Sequence, residues 1–322
     1  MFYALLIAIT VQSIGLLILT STGLVQIPDS TYPVIGTVIG SFIFGLGIIL
    51  AGGCATGTWY RAGEGLIGSW MALIAYAFTS AATKYGLLLP LMDGVNKPTN
   101  VNTSMSQTTG IPTWIWVTLL TVITVFFVVK TLRKPKPKFA VPKLKQKFTG
   151  VRHYLFEKKY HPFVAAIAVG LIALIAWPVS ESTGRMYGLG ITTPSANLVQ
   201  FFVTGDLKLL DWGVFLVLGI FLGSYLAAKG AREFKWRLPD KKTIRNSVIG
   251  GVFMGFGASV AGGCSIGNGL VETATMSWKG WIALASMILG AWTMSYFVFI
   301  RPMKKAQKQT SNENVTSQTQ TI

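Results

Sequence analysis

Two stretches of this chain repeat one apolar motif. Residues 38–57 read VIGSFIFGLGIILAGGCATG and residues 248–267 read VIGGVFMGFGASVAGGCSIG, an offset of 210 with 10 of 20 positions identical. They contain the two cysteines of the chain, Cys54 and Cys264, each in the frame Ala-Gly-Gly-Cys-x-x-Gly. Because both cysteines fall at the same place in a repeat, we expect the molecule to be built from two related halves around them.

The composition is that of a membrane protein. Hydrophobic residues make up 51% of the chain and charged residues 12%, and several apolar windows reach the roughly 20 residues that cross a bilayer. The stretch 194–204 is too short and mixed to assign. Met1 begins no basic segment and no cleavage site follows, so we expect a retained first helix rather than a signal peptide. The predicted spans lie at about 2–25, 34–53, 66–90, 112–130, 162–178, 211–228, 246–262 and 280–300.

The basic residues lie on one side of the predicted membrane. Three segments that border apolar spans hold 22 of the 28 Lys and Arg, namely 130–161, 229–245 and 301–322. This is the positive-inside pattern, which places these segments and both termini in the cytoplasm. Although the net charge is +17, this distribution argues against a nucleic-acid partner and favours contact with the anionic headgroups of the lipid bilayer.

When the predicted spans are counted from the basic loops, the two cysteine segments cross the membrane in opposite directions. Such halves form an inverted repeat about an axis in the membrane plane, and transport proteins of this kind bind solutes near the midplane. We expect an all-α polytopic membrane fold of about eight to nine spans with short re-entrant half-helices. The first half covers 1–130 and the second 162–302. A basic cytoplasmic connector at 131–161 joins them, and a polar cytoplasmic tail follows at 303–322.

Each glycine pair before a cysteine breaks a helix inside the membrane, where irregular backbone survives only if it is buried or lines a cavity. We expect short helices to restart at about 55–65 and 265–276, with free N–H groups that attract anions and favour a thiolate, an effect that burial opposes. A single membrane glycine is usually a helix-packing contact, and a single buried cysteine is usually a small hydrophobic residue. The repetition of the Gly-Gly-Cys element in both halves favours a functional site. The candidate binding residues are Gly52, Gly53, Cys54, Thr56, Gly57, Gly262, Gly263, Cys264, Ser265, Gly267 and Asn268.

Three ionisable residues near the cysteines are candidate supporting groups. Arg61 lies three residues before Glu64, a helix-neighbour spacing that favours an ion pair, although Arg61 is also a candidate for attracting an anion. Glu64 and Glu272 follow their cysteines by 10 and 8 residues and are candidate repeat-related groups that stabilise the short helices. Because the chain has neither a Walker sequence nor a zinc-ligand spacing, we expect no ATP, metal or other cofactor.

The doubled Gly-Gly-Cys-x-x-Gly element, with Tyr60-Arg-Ala-Gly-Glu-Gly65 after its first copy, resembles the YeeE/YedE sulfur-transport family of bacterial inner-membrane proteins. The resemblance implies two pseudo-symmetric helical halves with an hourglass-like interior, and uptake of thiosulfate to supply sulfur for assimilation. Cys54 and Cys264 match the family's central cysteines, which are thought to pass thiosulfate through S–H···S contacts. Some members are linked to selenium instead. Members often occur beside a soluble TusA-like sulfur carrier. The basic cytoplasmic connector is a candidate docking site for such a carrier, although the positive-inside pattern explains its charges equally well.

Thiosulfate-transporting members of this family carry a further cysteine in the first half, and the first span here has no thiol. Either a relay through three thiols does not operate, or a polar side chain such as Gln12 or Ser13 replaces one. Two enzyme hypotheses also stay open. A membrane thiol–disulfide oxidoreductase would need a bond between Cys54 and Cys264, and the usual Cys-x-x-Cys is absent. A sulfurtransferase would carry sulfane sulfur on a cysteine as a persulfide.

Overall fold

The computed structural model describes residues 2–27, 30–96, 100–133 and 160–304, together with His153 and Phe156. Most of the predicted connector and nearly all of the predicted tail lie outside the described residues. Within them the helices are α1 (Phe2–Ser21), α2 (Val34–Ala51), α3 (Ala55–Gly63), α4 (Ile67–Tyr85), α5 (Leu89–Asn96), α6 (Met105–Thr109), α7 (Thr113–Leu132), α8 (Pro162–Ser182), α9 (Thr192–Thr204), α10 (Trp212–Gly230), α11 (Lys241–Val260) and α12 (Trp278–Ser295).

Short elements complete the described fold. A 3-10 turn covers Leu207–Leu209, and π-helical segments cover Gly267–Glu272 and Tyr296–Ile300. The strands β1 (Thr31–Pro33) and β2 (Asn100–Asn102) pair antiparallel. The stretch that the sequence left unassigned forms α9.

Helices able to cross a membrane dominate the described residues and confirm a polytopic helical membrane protein. Six stretches are long and apolar enough, or seven if α4 and α5, bent by 66°, form one span. The predicted span at 246–262 forms α11, which is less apolar because it includes Arg245, Asn246 and several glycines. Since α11 packs against both α2 and α4, much of its surface meets other helices, and it needs less apolar surface than a lipid-facing span.

Glycines bring α2 and α11 into backbone contact. A Cβ atom added at Gly257 would lie 2.5 Å from the Gly40 carbonyl oxygen, and one added at Gly47 would lie 2.7 Å from the Gly250 carbonyl oxygen. Residue numbers rise along α2 as they fall along α11, so the two helices are antiparallel. The repeat offset of 210 exchanges these two contacts, which is the pattern that a two-fold axis between the repeats produces.

The neighbours of α2 and α11 repeat the same relation. A Cβ atom added at Gly255 of α11 would lie 2.6 Å from the Tyr76 carbonyl oxygen of α4. Its counterpart in the repeat, Gly45 of α2, comes closer still to the Met287 carbonyl oxygen of α12. Each repeat therefore packs its glycine-rich helix against the long helix after the cysteine of the other repeat, α4 or α12, and these four helices contribute to one of the two buried apolar clusters of the described residues.

The two ends of the helix bundle differ in their loops. At one end, here called the strand end, β1 and β2 lie beside the second repeat, because the Trp278 N–H donates to the Thr103 carbonyl oxygen at 2.9 Å. At the other, the basic end, the Arg237 N–H donates to the Gly65 carbonyl oxygen at 3.0 Å. The basic end carries the segment 229–245, which the loop charges predict to be cytoplasmic.

Candidate functional site

Both glycine pairs end their helices in the same way. Gly52 and Gly262 have φ angles of 73° and 70°, a left-handed conformation that strains residues with a side chain. The next N–H in each case folds back onto the helix, from Gly53 to Ile48 O at 3.0 Å and from Gly263 to Ala258 O at 2.9 Å. Because the helices run in opposite directions, α2 stops on the way to the basic end and α11 on the way to the strand end.

The chain restarts differently after the two cysteines. Cys54 caps α3, and its Sγ accepts a hydrogen bond from the Gly57 N–H at 3.4 Å. After Cys264 the chain forms the π-helical turn Gly267–Glu272. The prediction of short helices that restart at about 55–65 and 265–276 is confirmed by α3 in the first repeat and by the π-helical turn in the second, and the two differ in helix type.

Asn268 accounts for that difference. Its Nδ2 donates to the Ala261 and Gly263 carbonyl oxygens, both at 3.1 Å, and so ties the turn back to the glycine break. Thr58, its counterpart in the first repeat, instead donates to Ala55 O within α3 at 2.6 Å. Both hydrogen bonds of the Asn268 amide nitrogen therefore stay within the protein, and its place among the candidate binding residues stays a prediction.

Cys264 lies on the wall of a small cavity. The side chain has no exposed surface, and the cavity, here called the cysteine cavity, has a volume of about 150 Å³. A neighbouring cavity of about 340 Å³, here called the lysine cavity, reaches β1 at the strand end. Gly262 lines both cavities. The cysteine cavity is lined by Arg185, Tyr187, Gly190, Ile191, Thr192, Thr193, Gly262, Gly263, Cys264 and Gly267.

Three cationic side chains surround these cavities. Lys84 and Lys279 line the lysine cavity, and Arg185 lines the cysteine cavity. Lys279 Nζ lies 3.2 Å from Glu272 Oε1, and Arg185 Nε lies 3.9 Å from Asp211 Oδ2.

Lys84 differs from the other two cations. It donates to Thr193 Oγ1 and forms no ion pair within the part of the chain that the structure describes. The group therefore holds one positive charge more than its carboxylate partners balance.

Sequence reasoning missed all three cations. They come from α4, from the loop before α9 and from α12, and no repeat relates them. The signal that was available is that Lys84 is the one charged residue in the otherwise uncharged stretch 65–92, where a charge is costly.

Arg61 lies at the other break. Its Nη1 donates to the Gly52 carbonyl oxygen, and its Nε lies 3.3 Å from Tyr60 Oη. Among the described residues it forms no ion pair with Glu64, so the expected Arg61–Glu64 pair is wrong. The physical reason is that the last carbonyl groups of α2 lack partners and carry partial negative charge, which draws the guanidinium back.

Glu64 and Glu272 also fail to match as repeat-related groups. Glu64 is the last residue of the turn that ends α3, whereas Glu272 accepts from Tyr187 Oη at 3.1 Å and from Lys279 Nζ at 3.2 Å. Their positions differ by 208 rather than 210, which turns them to different sides of their short helices.

A buried tyrosine lies in the same part of the core as Cys264. Tyr76 has no exposed surface, donates to Thr192 Oγ1 at 2.9 Å, and belongs with Cys264 and Ala55 to one buried apolar cluster. This cluster extends from Cys264 to the first residue of α3. Cys54 is partly exposed, and none of the predicted site residues of the first repeat lines the cavities at the strand end.

Several buried polar atoms have no hydrogen-bond partner among the described residues. They include Thr56 Oγ1 and Ser265 Oγ, close in sequence to the cysteines, and both amide atoms of Gln12 in α1, which has no exposed surface. Ser13 donates to the Ile9 carbonyl oxygen at 2.9 Å. Because buried polar groups are nearly always paired, unpaired ones call for an explanation such as a ligand or water.

Comparison with known proteins matches this architecture to one family. The family model described as sulphur transport matches residues 1–293. The chain is 56% identical to the thiosulfate transporter TsuA of Escherichia coli K12 over 314 residues, covering 98% of this chain and 89% of that protein. It is 33% identical to the TsuA of Spirochaeta thermophila over 307 residues, covering 91% and 86%. The probable transporter YedE of Escherichia coli K12 is 25% identical over 166 residues, covering 46% and 40%. The chain therefore belongs to the sulphur transport family, the YeeE/YedE family that its doubled cysteine motif resembles.

Proposed function

We propose that this protein takes up thiosulfate through a central constriction at Cys264 and Cys54 and so supplies sulfur for assimilation. Two relatives that match along most of their length are named thiosulfate transporters. The observation that carries the proposal is a fully buried thiol, Cys264, on a cavity beside three cations with only two carboxylate partners.

The cations explain attraction of a dianion to the strand end. Lys84, Arg185 and Lys279 approach from three different elements, and Lys84 has its charge unpaired within the described chain. Charge interactions strengthen in a site that excludes water. A dianion entering the lysine cavity gains from all three cations, and Gly262, which lines both cavities, gives it a side-chain-free path to the cysteine cavity.

The lining of the cysteine cavity favours thiosulfate over sulfate. Thiosulfate has a terminal sulfur in place of one sulfate oxygen, and sulfur is large, soft and a poor hydrogen-bond acceptor. The Cys264 thiol is itself a soft, weak donor and suits that sulfur. The hydroxyl of Thr192 and the guanidinium of Arg185, on the same cavity, suit the oxygens.

The onward route passes the first repeat. Ser265 Oγ and Thr56 Oγ1 are buried and unpaired, so they can donate to oxygens that leave the cysteine cavity. Cys54 then offers the second thiol, and Arg61, which already bonds the Gly52 carbonyl oxygen, offers a cation towards the basic end. Gln12, with its unpaired amide, is the polar side chain proposed to stand where relatives carry a third thiol.

Several finer expectations belong to the same proposal. We propose that the halves at 1–130 and 162–302 are the inverted units, that the protein lies in a bacterial inner membrane with both termini in the cytoplasm, and that the basic connector docks a soluble TusA-like carrier. These rest on the loop charges and on the family resemblance.

Uptake of radiolabelled thiosulfate into proteoliposomes tests the proposal. We expect saturable uptake that unlabelled thiosulfate inhibits and sulfate inhibits weakly, and that Cys264→Ala abolishes. Ser182→Ala, which alters an exposed residue of α8, is the matched control and should transport normally. Full uptake by correctly folded Cys264→Ala protein would contradict the proposal.

The same preparation separates the alternatives. A persulfide on Cys264 or Cys54 that forms with thiosulfate and turns over, seen by mass spectrometry, would favour a sulfurtransferase. A reversible Cys54–Cys264 disulfide coupled to quinone reduction would favour an oxidoreductase. Stronger inhibition of uptake by selenium oxyanions than by unlabelled thiosulfate would indicate that the substrate is a selenium oxyanion.

A further inference from the structure

We infer that Glu272 takes up a proton when the anion binds, so that this protein carries a proton inward with its substrate. The inference rests on the proposed transport of a dianion, and it assigns a role to a carboxylate that binding of the anion alone does not need.

Glu272 lies on the wall of a cavity other than the two proposed to hold the anion. A third cavity of about 590 Å³ extends from Glu272 to the loops of the strand end, lined by hydroxyl side chains such as Ser13, Thr103 and Ser277. Tyr187 lines both this hydroxyl-lined cavity and the cysteine cavity. The carboxylate of Glu272 therefore has polar access to the strand end on a route separate from the cavities proposed to hold the anion.

The partners of Glu272 connect it to the anion site. Its Oε1 accepts from Lys279 Nζ at 3.2 Å and from Tyr187 Oη at 3.1 Å. Lys279 lines the lysine cavity and Tyr187 lines the cysteine cavity. A dianion in the lysine cavity therefore competes with Glu272 for Lys279, and a dianion in the cysteine cavity competes with Glu272 for Tyr187.

The ionisable groups around Glu272 are few. Lys279 faces it from α12 and Tyr187 from the loop before α9, with Arg185 beyond Tyr187 on the same loop. Cys264 lies earlier on its own segment, and Lys84 of α4 lies within electrostatic range of Lys279. The helix α1, which also packs against the segment, contributes no acidic or basic side chain. Lys279 is thus the cation that balances Glu272.

Competition for Lys279 leads to uptake of a proton. When the dianion takes Lys279, the Glu272 carboxylate loses its counterion beside two new negative charges in a site shielded from water, which is unfavourable. A proton that arrives through the hydroxyl-lined cavity neutralises the carboxylate and keeps its hydrogen bond with Tyr187 possible. The step only adds one proton to one carboxylate oxygen, and no electron is transferred.

Proton coupling helps the protein to accumulate a dianion against the membrane potential. A potential of about 100 mV, negative inside, opposes accumulation of a dianion by roughly three orders of magnitude in concentration ratio. One proton carried with the anion lowers the net charge that moves against the potential from two to one. The opposing concentration ratio then falls to its square root. The pH gradient adds further driving force.

Coupling is reciprocal, so it can be read at equilibrium. If anion binding drives proton uptake, a lower pH must tighten anion binding by at most about tenfold per pH unit for one proton. Isothermal titration of the purified full-length protein with sodium thiosulfate, repeated in buffers of different ionisation enthalpy, measures the number of protons taken up per anion bound.

We expect close to one proton per thiosulfate for the native protein and close to none for Glu272→Gln, whose affinity should no longer depend on pH. Glu233→Gln is the matched control, because Glu233 is exposed and lines none of the three cavities, and it should behave like the native protein. Binding to the native protein without proton uptake, or undiminished proton uptake by Glu272→Gln, would overturn the inference, as would dependence on Na⁺ at constant pH.

Two outcomes separate this inference from the proposed function. If the native protein binds no thiosulfate, the proposed function fails and the inference fails with it. If thiosulfate binds and enters proteoliposomes without protons, only the inference fails. The proton count of the native protein decides the matter even if Glu272→Gln does not fold.

Discussion

Cys54 and Cys264 occupy the same place in the repeat, yet their surroundings differ in every respect that bears on binding. Cys264 is fully buried on a cavity with nearby cations, whereas Cys54 is partly exposed and caps an α-helix. The backbone of the glycine break is shared, and the difference comes from what other elements place beside it. This comparison teaches that the repeat supplies the framework of the pathway, and that the unrepeated residues give it an entrance and an exit.

The largest expected effect tests the shared framework. Gly47→Leu and Gly257→Leu each place a side chain against backbone of the opposite repeat, and no side-chain movement can relieve that clash. We expect each to cost about 3 kcal/mol or more, and the two losses to be similar because the repeat exchanges the positions. Thermal unfolding in detergent measures both.

Gly219→Leu is the control for this pair. A Cβ atom at Gly219 meets nothing within 4 Å, so the variant should unfold within a few degrees of the native protein. Strongly unequal losses for Gly47→Leu and Gly257→Leu would contradict the two-fold relation between α2 and α11.

The next effect tests the charge that distinguishes the strand end. Lys84→Met removes the cation that has no carboxylate partner within the described residues, and charged hydrogen bonds are worth about 1.5–3 kcal/mol. We expect thiosulfate to bind roughly 10- to 100-fold more weakly, measured by isothermal titration. Lys208→Met removes an exposed lysine near the same end and should bind thiosulfate normally. An equal loss of affinity in Lys208→Met would show that Lys84 acts only through general surface charge.

The smallest expected effect is on stability, and it compares the two short helical segments that follow the cysteines. Asn268→Ala leaves the Ala261 and Gly263 carbonyl oxygens without their donor, and unsatisfied buried groups cost about 1–3 kcal/mol. Thr58→Ala removes only a bond within α3, and its cost should stay below about 1 kcal/mol. Urea unfolding curves compare the two variants. Equal losses would show that Asn268 does not stabilise the π-helical turn.

Much of the fold could be predicted from the sequence, because its causes are local. The glycine pairs at 52–53 and 262–263 end helices through backbone freedom, and the loop charges follow a rule that needs no tertiary structure. The assembled site could not be predicted in the same way. Lys84, Arg185 and Lys279 meet only through tertiary packing, and no shared spacing connects them.

The errors in the prediction have one origin. Treating the repeat as exact led to repeat-related roles for Glu64 and Glu272 and gave no sign that the two short helices would differ in type. At each break an unpaired carbonyl group at the helix end took a nearby donor, Arg61 in one repeat and Asn268 in the other. Helix-end bonding of this kind depends on side chains that the repeat does not conserve between its copies.

The central claim is that the anion binds first at Cys264 and reaches Cys54 only in transit. The most direct test measures thiosulfate binding and uptake for purified Cys264→Ala and Cys54→Ala in parallel. We predict that Cys264→Ala lowers the affinity by about tenfold or more and that Cys54→Ala leaves it within about twofold, while both variants lose uptake. Equal loss of affinity in the two variants, or a larger loss for Cys54→Ala, would contradict the account.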